Sequence, residues 1–152
     1  MKPKILIDTN VLMDVLLGTR PSSPASCFVF DCIRAGQMEG LIVTQSIVDA
    51  SYAIRKEGKE AEKAFRASVL SFYHYINEES ATSFDIEYAC KRPSGDFEDD
   101  ALYARAKDTA CDAIVTNDIK FRKRYEGEDR HIRFFTPEEL VRELTTAQTS
   151  AQ

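Results

Sequence analysis

Short apolar runs alternate along the chain with longer stretches of helical periodicity. Lys4-Ile-Leu-Ile7 and Gly40-Leu-Ile-Val43 are compact runs of the kind buried on both faces of a parallel sheet. Residues 72–76 predict a third strand, residues 112–116 (Asp-Ala-Ile-Val-Thr) a fourth, and residues 132–135 (Ile-Arg-Phe-Phe) a fifth. A Pro/Ser loop at 21–24 precedes a helical stretch reaching about residue 37, with an apolar face over residues 25–33. Thr44 reads as the N-cap of a helix through Ile47, Val48 and Tyr52 to about Lys56. Gly58 interrupts, and Lys59–Phe72 forms another amphipathic pattern. A short helix follows near residues 84–90, and Pro93-Ser-Gly95 breaks the chain. Residues 97–110 are helical, and Pro137 sits at the first position of a last helix behind a Thr136 cap.

Strands separated by helices imply parallel pairing and a three-layer α/β/α sandwich around a central, mostly parallel sheet. No internal repeat divides the 152 residues, so one domain over residues 1–144 is expected, with the polar, aperiodic stretch 145–152 as a frayed tail.

Composition narrows the class without naming it. The chain is 43% hydrophobic and 30% charged, which is ordinary for a folded domain. No apolar run approaches the roughly 20 residues of a membrane span, and the N-terminal run is too short for a signal peptide, so a cytoplasmic location is expected. Cys27, Cys32, Cys90 and Cys111 make no C-x-x-C pair and stand near neither His74 nor His131, which argues for reduced thiols rather than zinc or disulfides. The net charge of −5 decides little, because a carboxylate-rich site makes a chain acidic while local basic patches still bind phosphate.

The candidate chemistry lies in the carboxylates. In an open parallel sheet, functional groups gather beyond the carboxyl ends of the strands. Asp8 directly follows the first strand, and Asp118 follows the fourth. Asp49 lies little more than a turn into the helix after the second. The run Asp96-Phe-Glu-Asp-Asp100 opens a helix that runs back against the sheet, so its start belongs at the same edge. Singly, each acid has a local explanation as a turn residue, a helix-end charge or a solvated side chain. Four segments delivering carboxylates to one edge change the balance.

Two bare carboxylates about 4 Å apart repel by roughly 4 kcal/mol at an effective dielectric of about 20, and no basic partner is evident among these. Either they take up protons or a divalent cation neutralises them. Oxygen donors without nearby histidine or cysteine suit Mg²⁺ or Mn²⁺, and metal-assisted phosphodiester hydrolysis is the reaction class that follows.

Ile5-Leu-Ile-Asp-Thr-Asn-Val-Leu-Met-Asp14 resembles the opening motif of PIN domains, the group that includes the VapC-type toxins. Asp96-Phe-Glu-Asp99 and Ala110-Cys-Asp-Ala-Ile-Val-Thr-Asn-Asp118 resemble their third and fourth motifs, and Thr136-Pro-Glu-Glu139 their closing strand-to-helix turn. The resemblance covers nearly the whole chain. It implies a metal-dependent endoribonuclease with Asp8, Asp49, Asp99 and Asp118 as catalytic and metal-binding acids. Asn10 and Thr116 match the polar companions of those acids. Helical periodicity alone leaves Asp99 and Asp100 open, and the ungapped match favours Asp99, with Asp96 and Asp100 in support. Where the family commonly has Glu in its second motif, this chain has the shorter Asp49. Where relatives often carry Lys-Asp-Phe after the fourth, it has Lys120-Phe-Arg-Lys-Arg124.

Lys120, Arg122, Lys123 and Arg124 are therefore expected to bind the RNA backbone. The resemblance further implies a toxin held by a protein antitoxin and a homodimer, with the apolar stripes of residues 26–33 and 64–72 as candidate faces. Two other functions fit the same residues. One is a non-catalytic RNA- or protein-binding PIN-like module. The other is a metal-dependent nuclease or phosphatase acting on another phosphoester, although an aspartyl-phosphate phosphatase wants Asp-x-Asp where this chain has Asp8-Thr-Asn10.

Overall fold

The computed structural model describes residues 1–92 and 95–150. Five strands, β1 (Lys4–Ile7), β2 (Glu39–Val43), β3 (Ile76–Glu79), β4 (Ala113–Val115) and β5 (Arg133–Phe135), form one sheet in the order β3-β2-β1-β4-β5, and every pair is parallel. The helices are α1 (Thr9–Leu17), α2 (Ser23–Arg34), α3 (Thr44–Ile54), α4 (Lys59–Phe72), α5 (Ser83–Cys90), α6 (Phe97–Asp108), α7 (Ile119–Tyr125) and α8 (Pro137–Ser150). A 3₁₀ turn, Arg55–Glu57, joins α3 to α4.

Alternation along each strand builds the two cores. Ile5 and Ile7, Ile42, and Ala113 and Val115 face α1, α2, α4 and α8. Leu6, Leu41 and Val43, and Ile114 face α6 and α7. Central strands buried on both sides explain why the apolar runs are continuous rather than alternating. Gly40 lets α2 approach β2, since a Cβ there would lie 2.7 Å from Ile33 Cδ1.

Strand order turns outward from β1 in both directions, so β1 and β4 flank the point where the winding reverses, the place where open α/β sheets bind ligands.

Three expectations need correction. The aromatic run at 72–76 is not the third strand. Phe72 ends α4 and packs in the core, while β3 is Ile-Asn-Glu-Glu, a polar edge strand with a single buried apolar residue. Thr44 is the first residue of α3 rather than its cap, and its hydroxyl donates to the Glu79 carbonyl at 3.2 Å. The stretch 145–150, which carries no periodicity in the sequence, continues α8, and Thr145 and Thr149 bond back to the carbonyls of Val141 and Thr145. Helices α1 and α7 have no counterpart in the sequence reading. Pro93, Ser94 and the last two residues lie outside the described residues. Among the described residues no helix is long and apolar enough to cross a membrane.

Candidate active site

The β1–α1 and β4–α7 loops are stitched together by side chains. Asp8 caps α1 and is 4% exposed. Its Oδ1 accepts from the Thr9 amide at 2.7 Å, and its Oδ2 accepts from Asn10 Nδ2 at 2.8 Å and Thr116 Oγ1 at 2.6 Å. Thr116 Oγ1 in turn accepts from the Asp118 amide at 2.9 Å, and Asn10 Oδ1 accepts from the Asn117 amide at 3.0 Å. Thr116 and Asn10 therefore fix the rotamer of Asp8 and the path of the loop carrying Asp118.

Asp118 caps α7 through the amides of Lys120 and Phe121, and Asp96 caps α6 through those of Glu98 and Asp99. Three helix N-termini thus point their amides and dipoles toward the acids, which favours negative charge there. Asp49 approaches from α3, with Oδ1 accepting from Gln45 Nε2 at 2.8 Å. One cleft of ≈ 380 Å³ is lined by Asp8, Asn10, Asp49, Asp96, Asp99 and Asp118, and also by Arg20 and Glu98.

Crowding shows in the protonation equilibria. Burial pushes the Asp8 carboxyl up, the Asp118 charge adds to the shift, and the hydrogen bonds from Thr116, Thr9 and Asn10 oppose it. Asp99 is pushed up to about 7, first by burial and then by Asp8 and Asp96, against the opposing pull of Arg124. Glu98 is raised by burial, Asp49 and Asp8. Burial leads all three upward shifts, and the charge of neighbouring acids adds to each.

Several residues stand differently from their sequence expectation. A basic partner does exist within the cluster: Arg124 of α7 pairs with Asp99. Arg122 is engaged by Glu126 and by Glu139 of α8. Of the basic run, Lys120 and Lys123 are the exposed cations outside any ion pair among the described residues. Asp100 turns away from the cleft into the second core, where the Tyr125 hydroxyl donates to it.

Sequence reasoning gave no role to Glu98, whose Oε1 accepts from Thr9 Oγ1 at 3.3 Å. It also missed the support beneath the loops. Buried Asp14 accepts from Ser26 Oγ at 2.7 Å and Asn117 Nδ2 at 2.8 Å and pairs with Arg20, which also bonds the Asn10 carbonyl. An aspartate one helical turn after Asn10 in an otherwise apolar helix was the available signal.

The donor chemistry, carboxylate oxygens without imidazole or thiolate, fits a hard divalent cation. Among the described residues, however, no three acidic, histidine or cysteine side chains already stand close enough to enclose one. The reason is visible in the bonds above: each acid leans toward a protein donor, and Asp99 toward Arg124.

The sequence matches the PIN domain family over residues 4–120, from β1 into α7. No curated protein matches it significantly. Among solved structures, PAE2754 from Pyrobaculum aerophilum is 17% identical with a TM-score of 0.64, covering 96% of this chain and 98% of its own. VapC20 of Mycobacterium tuberculosis, described as a sarcin–ricin loop cleaving toxin, is 16% identical with a TM-score of 0.63 over 79% of this chain and 94% of its own. A toxin–antitoxin complex from Klebsiella pneumoniae gives 17% identity and a TM-score of 0.60, over 88% and 97%. The all-parallel sheet, the acids at its winding reversal and the match across both acidic loops converge, and the chain belongs to the PIN domain family.

Proposed function

We propose that this chain is a divalent-metal-dependent endoribonuclease, hydrolysing RNA phosphodiester bonds at the cleft formed by Asp8, Asp49, Asp99 and Asp118. The observation that carries the reading is the gathering of these acids, from four separate segments, beside the winding reversal of the sheet, with Asp8 and Asp99 both driven toward protonation. Family membership supports nuclease chemistry in general.

Asp8, Asp49, Asp99 and Asp118 would hold Mg²⁺ or Mn²⁺, and Arg124 would exchange Asp99 for another anionic partner. Bound there, the cation supplies Lewis acidity, activating water as a nucleophile and offsetting charge on the phosphate. The chain's own contribution is placement. Thr116 and Asn10 keep Asp8 facing the cleft, Asp96 and Glu98 add negative charge at its wall, and Lys120 and Lys123, in the first and last turns of α7, meet the flanking phosphates.

The likeness to VapC20 and to the Klebsiella toxin–antitoxin complex supports extending the reading to a toxin restrained by a protein antitoxin, and a cytoplasmic location belongs to the same reading. A homodimer belongs to the same reading. Most of the α2 apolar stripe is used inside the chain's own core, so exposed Val48 and Tyr52 on α3 and Leu70 on α4 are the better candidates for a dimer face.

The Asp99–Arg124 pair favours one rival, a non-catalytic binding module in which arginine replaces the cation. Incubating single-stranded RNA with the wild type and with Asp8→Asn in Mn²⁺ separates the two. The nuclease reading expects shortened products from the wild type alone, and intact RNA in both reactions supports the rival.

A further inference from the structure

A second cavity adjoins the carboxylate cleft. It encloses ≈ 350 Å³ and has apolar walls from Val43, Ile86, Phe97, Ala101 and Leu102, with Arg105 on its lining. Asp49 and Glu98 line both cavities and so form their shared wall. One helical turn serves the two: on α6, Asp99 belongs to the cleft and Phe97 and Ala101 to the slot, with Glu98 between them.

The slot suits a neutral, flat group. Arg105 is 4% exposed, and its charge is met by Asp85, Asp108 and Glu79, which leaves little attraction for a phosphate. Glu98 and Asp49 at the entrance repel anions further. Phe97 is 51% exposed and Ile86 42%, so an aromatic ring and an aliphatic face stand open to solvent beside a strongly acidic site. Exposed Gln45 brings its side-chain amide to the lining, and its carbonyl remains for a partner after its nitrogen bonds Asp49.

Building on the ribonuclease reading, we propose that this slot is a nucleobase subsite. It receives one unstacked base of the RNA next to the phosphate held at the carboxylates, stacked on Phe97, with its polar edge toward Gln45. Single-stranded RNA is recognised by this combination of aromatic stacking and edge hydrogen bonds. The shared wall makes the geometry natural, because a strand crossing the cleft carries its next base directly over Glu98 and Asp49. A partner protein's apolar side chain would also fit the walls, but nothing would then tie the slot to the cleft.

The sequence contains no tryptophan, so Phe97→Trp introduces a single reporter at an exposed position where folding is not at risk. In an Asp8→Asn background with Mg²⁺, this protein is titrated with a short single-stranded RNA and with the same backbone made abasic. Intact RNA is expected to quench the indole, and abasic RNA to leave it unchanged and bind roughly tenfold more weakly. Ala101→Leu, which narrows the slot, should lower the affinity for intact RNA toward that for abasic RNA without altering the latter. Equal affinity and equal emission for both RNAs overturn the subsite, and this is also the result expected of a slot reserved for a protein side chain. If the wild type cleaves RNA while the two RNAs bind alike, the nuclease reading stands and the subsite falls. If neither RNA binds and none is cleaved, both fall.

Discussion

Asp8 accepts three side-chain and backbone hydrogen bonds, yet burial still drives its carboxyl upward, with the Asp118 charge adding to the shift. Asp99 shows the same imbalance with a value attached. Between its ordinary 3.8 and about 7, the folded, metal-free chain holds a proton that the unfolded chain has released. The stability linked to that proton is present in full below 3.8 and lost as pH rises through about 7. Asp8 and Glu98 shift in the same direction and reinforce it. The metal-free protein should therefore melt at progressively lower temperature as pH rises over this window, and Asp99→Asn should flatten the slope. A wild-type melting temperature that climbs over the same range contradicts this.

Thr116 offers a second test, because its hydroxyl both donates to Asp8 and accepts from the Asp118 amide. Thr116→Val should weaken Mn²⁺ binding by on the order of 10- to 100-fold in calorimetry, the usual cost of losing a ligand's support. Unchanged affinity would show that Asp8 needs no such orientation. Asp8 and Asp118 were legible as site candidates because each sits at the end of a strand, where position follows from chain direction. The pairing of Arg124 with Asp99 was not legible, because it arises from the packing of α7 against α6, and nothing local signals it. Asp99 and Asp100 were indistinguishable by pattern, and only the packed Tyr125 shows which of them turns inward.

Among the elements, α7 departs furthest from its sequence appearance. Its basic run hides Phe121 and Tyr125, one turn apart and both buried, which anchor the helix to the second core. Packing of this kind recruits two of the four cations as structural ties, Arg122 to Glu139 and Arg124 to Asp99. Lys120 and Lys123 remain exposed and outside any ion pair among the described residues. Lys120→Glu with Lys123→Glu should weaken binding of single-stranded RNA and flatten its salt dependence, by about 0.7 in the logarithmic slope per lost phosphate contact. Coincident titration curves from low to moderate salt would assign these lysines to solubility alone. Helix α1 escaped notice for the related reason that its residues are apolar around much of the circumference, as a helix packed between α2, α3 and the sheet must be. Strand β3 escaped because an edge strand has little apolar signature to read.

At the scale of the molecule, the parallel sheet and two-sided core follow directly from continuous apolar runs spaced by helices, and that much was readable residue by residue. Strand order was not, yet it is strand order that puts β1 beside β4 and so brings Asp8 against Thr116 and Asp118. If the proposed divalent ion binds these acids, the fold should gain stability from it. At a free concentration about 100 times the dissociation constant, linkage gives roughly 2.7 kcal/mol, a clear rise in melting temperature. That rise should be smaller in Asp8→Asn, which keeps three of the four carboxylates.

If these acids cut RNA only with a divalent cation, cleavage of a single-stranded RNA should follow Mg²⁺ or Mn²⁺ as it is titrated into purified wild-type protein and then removed with a chelator. The rate should rise to saturation with the metal and fall to background on chelation. Cleavage that persists in the chelator, or its absence at every metal concentration, would contradict the proposal.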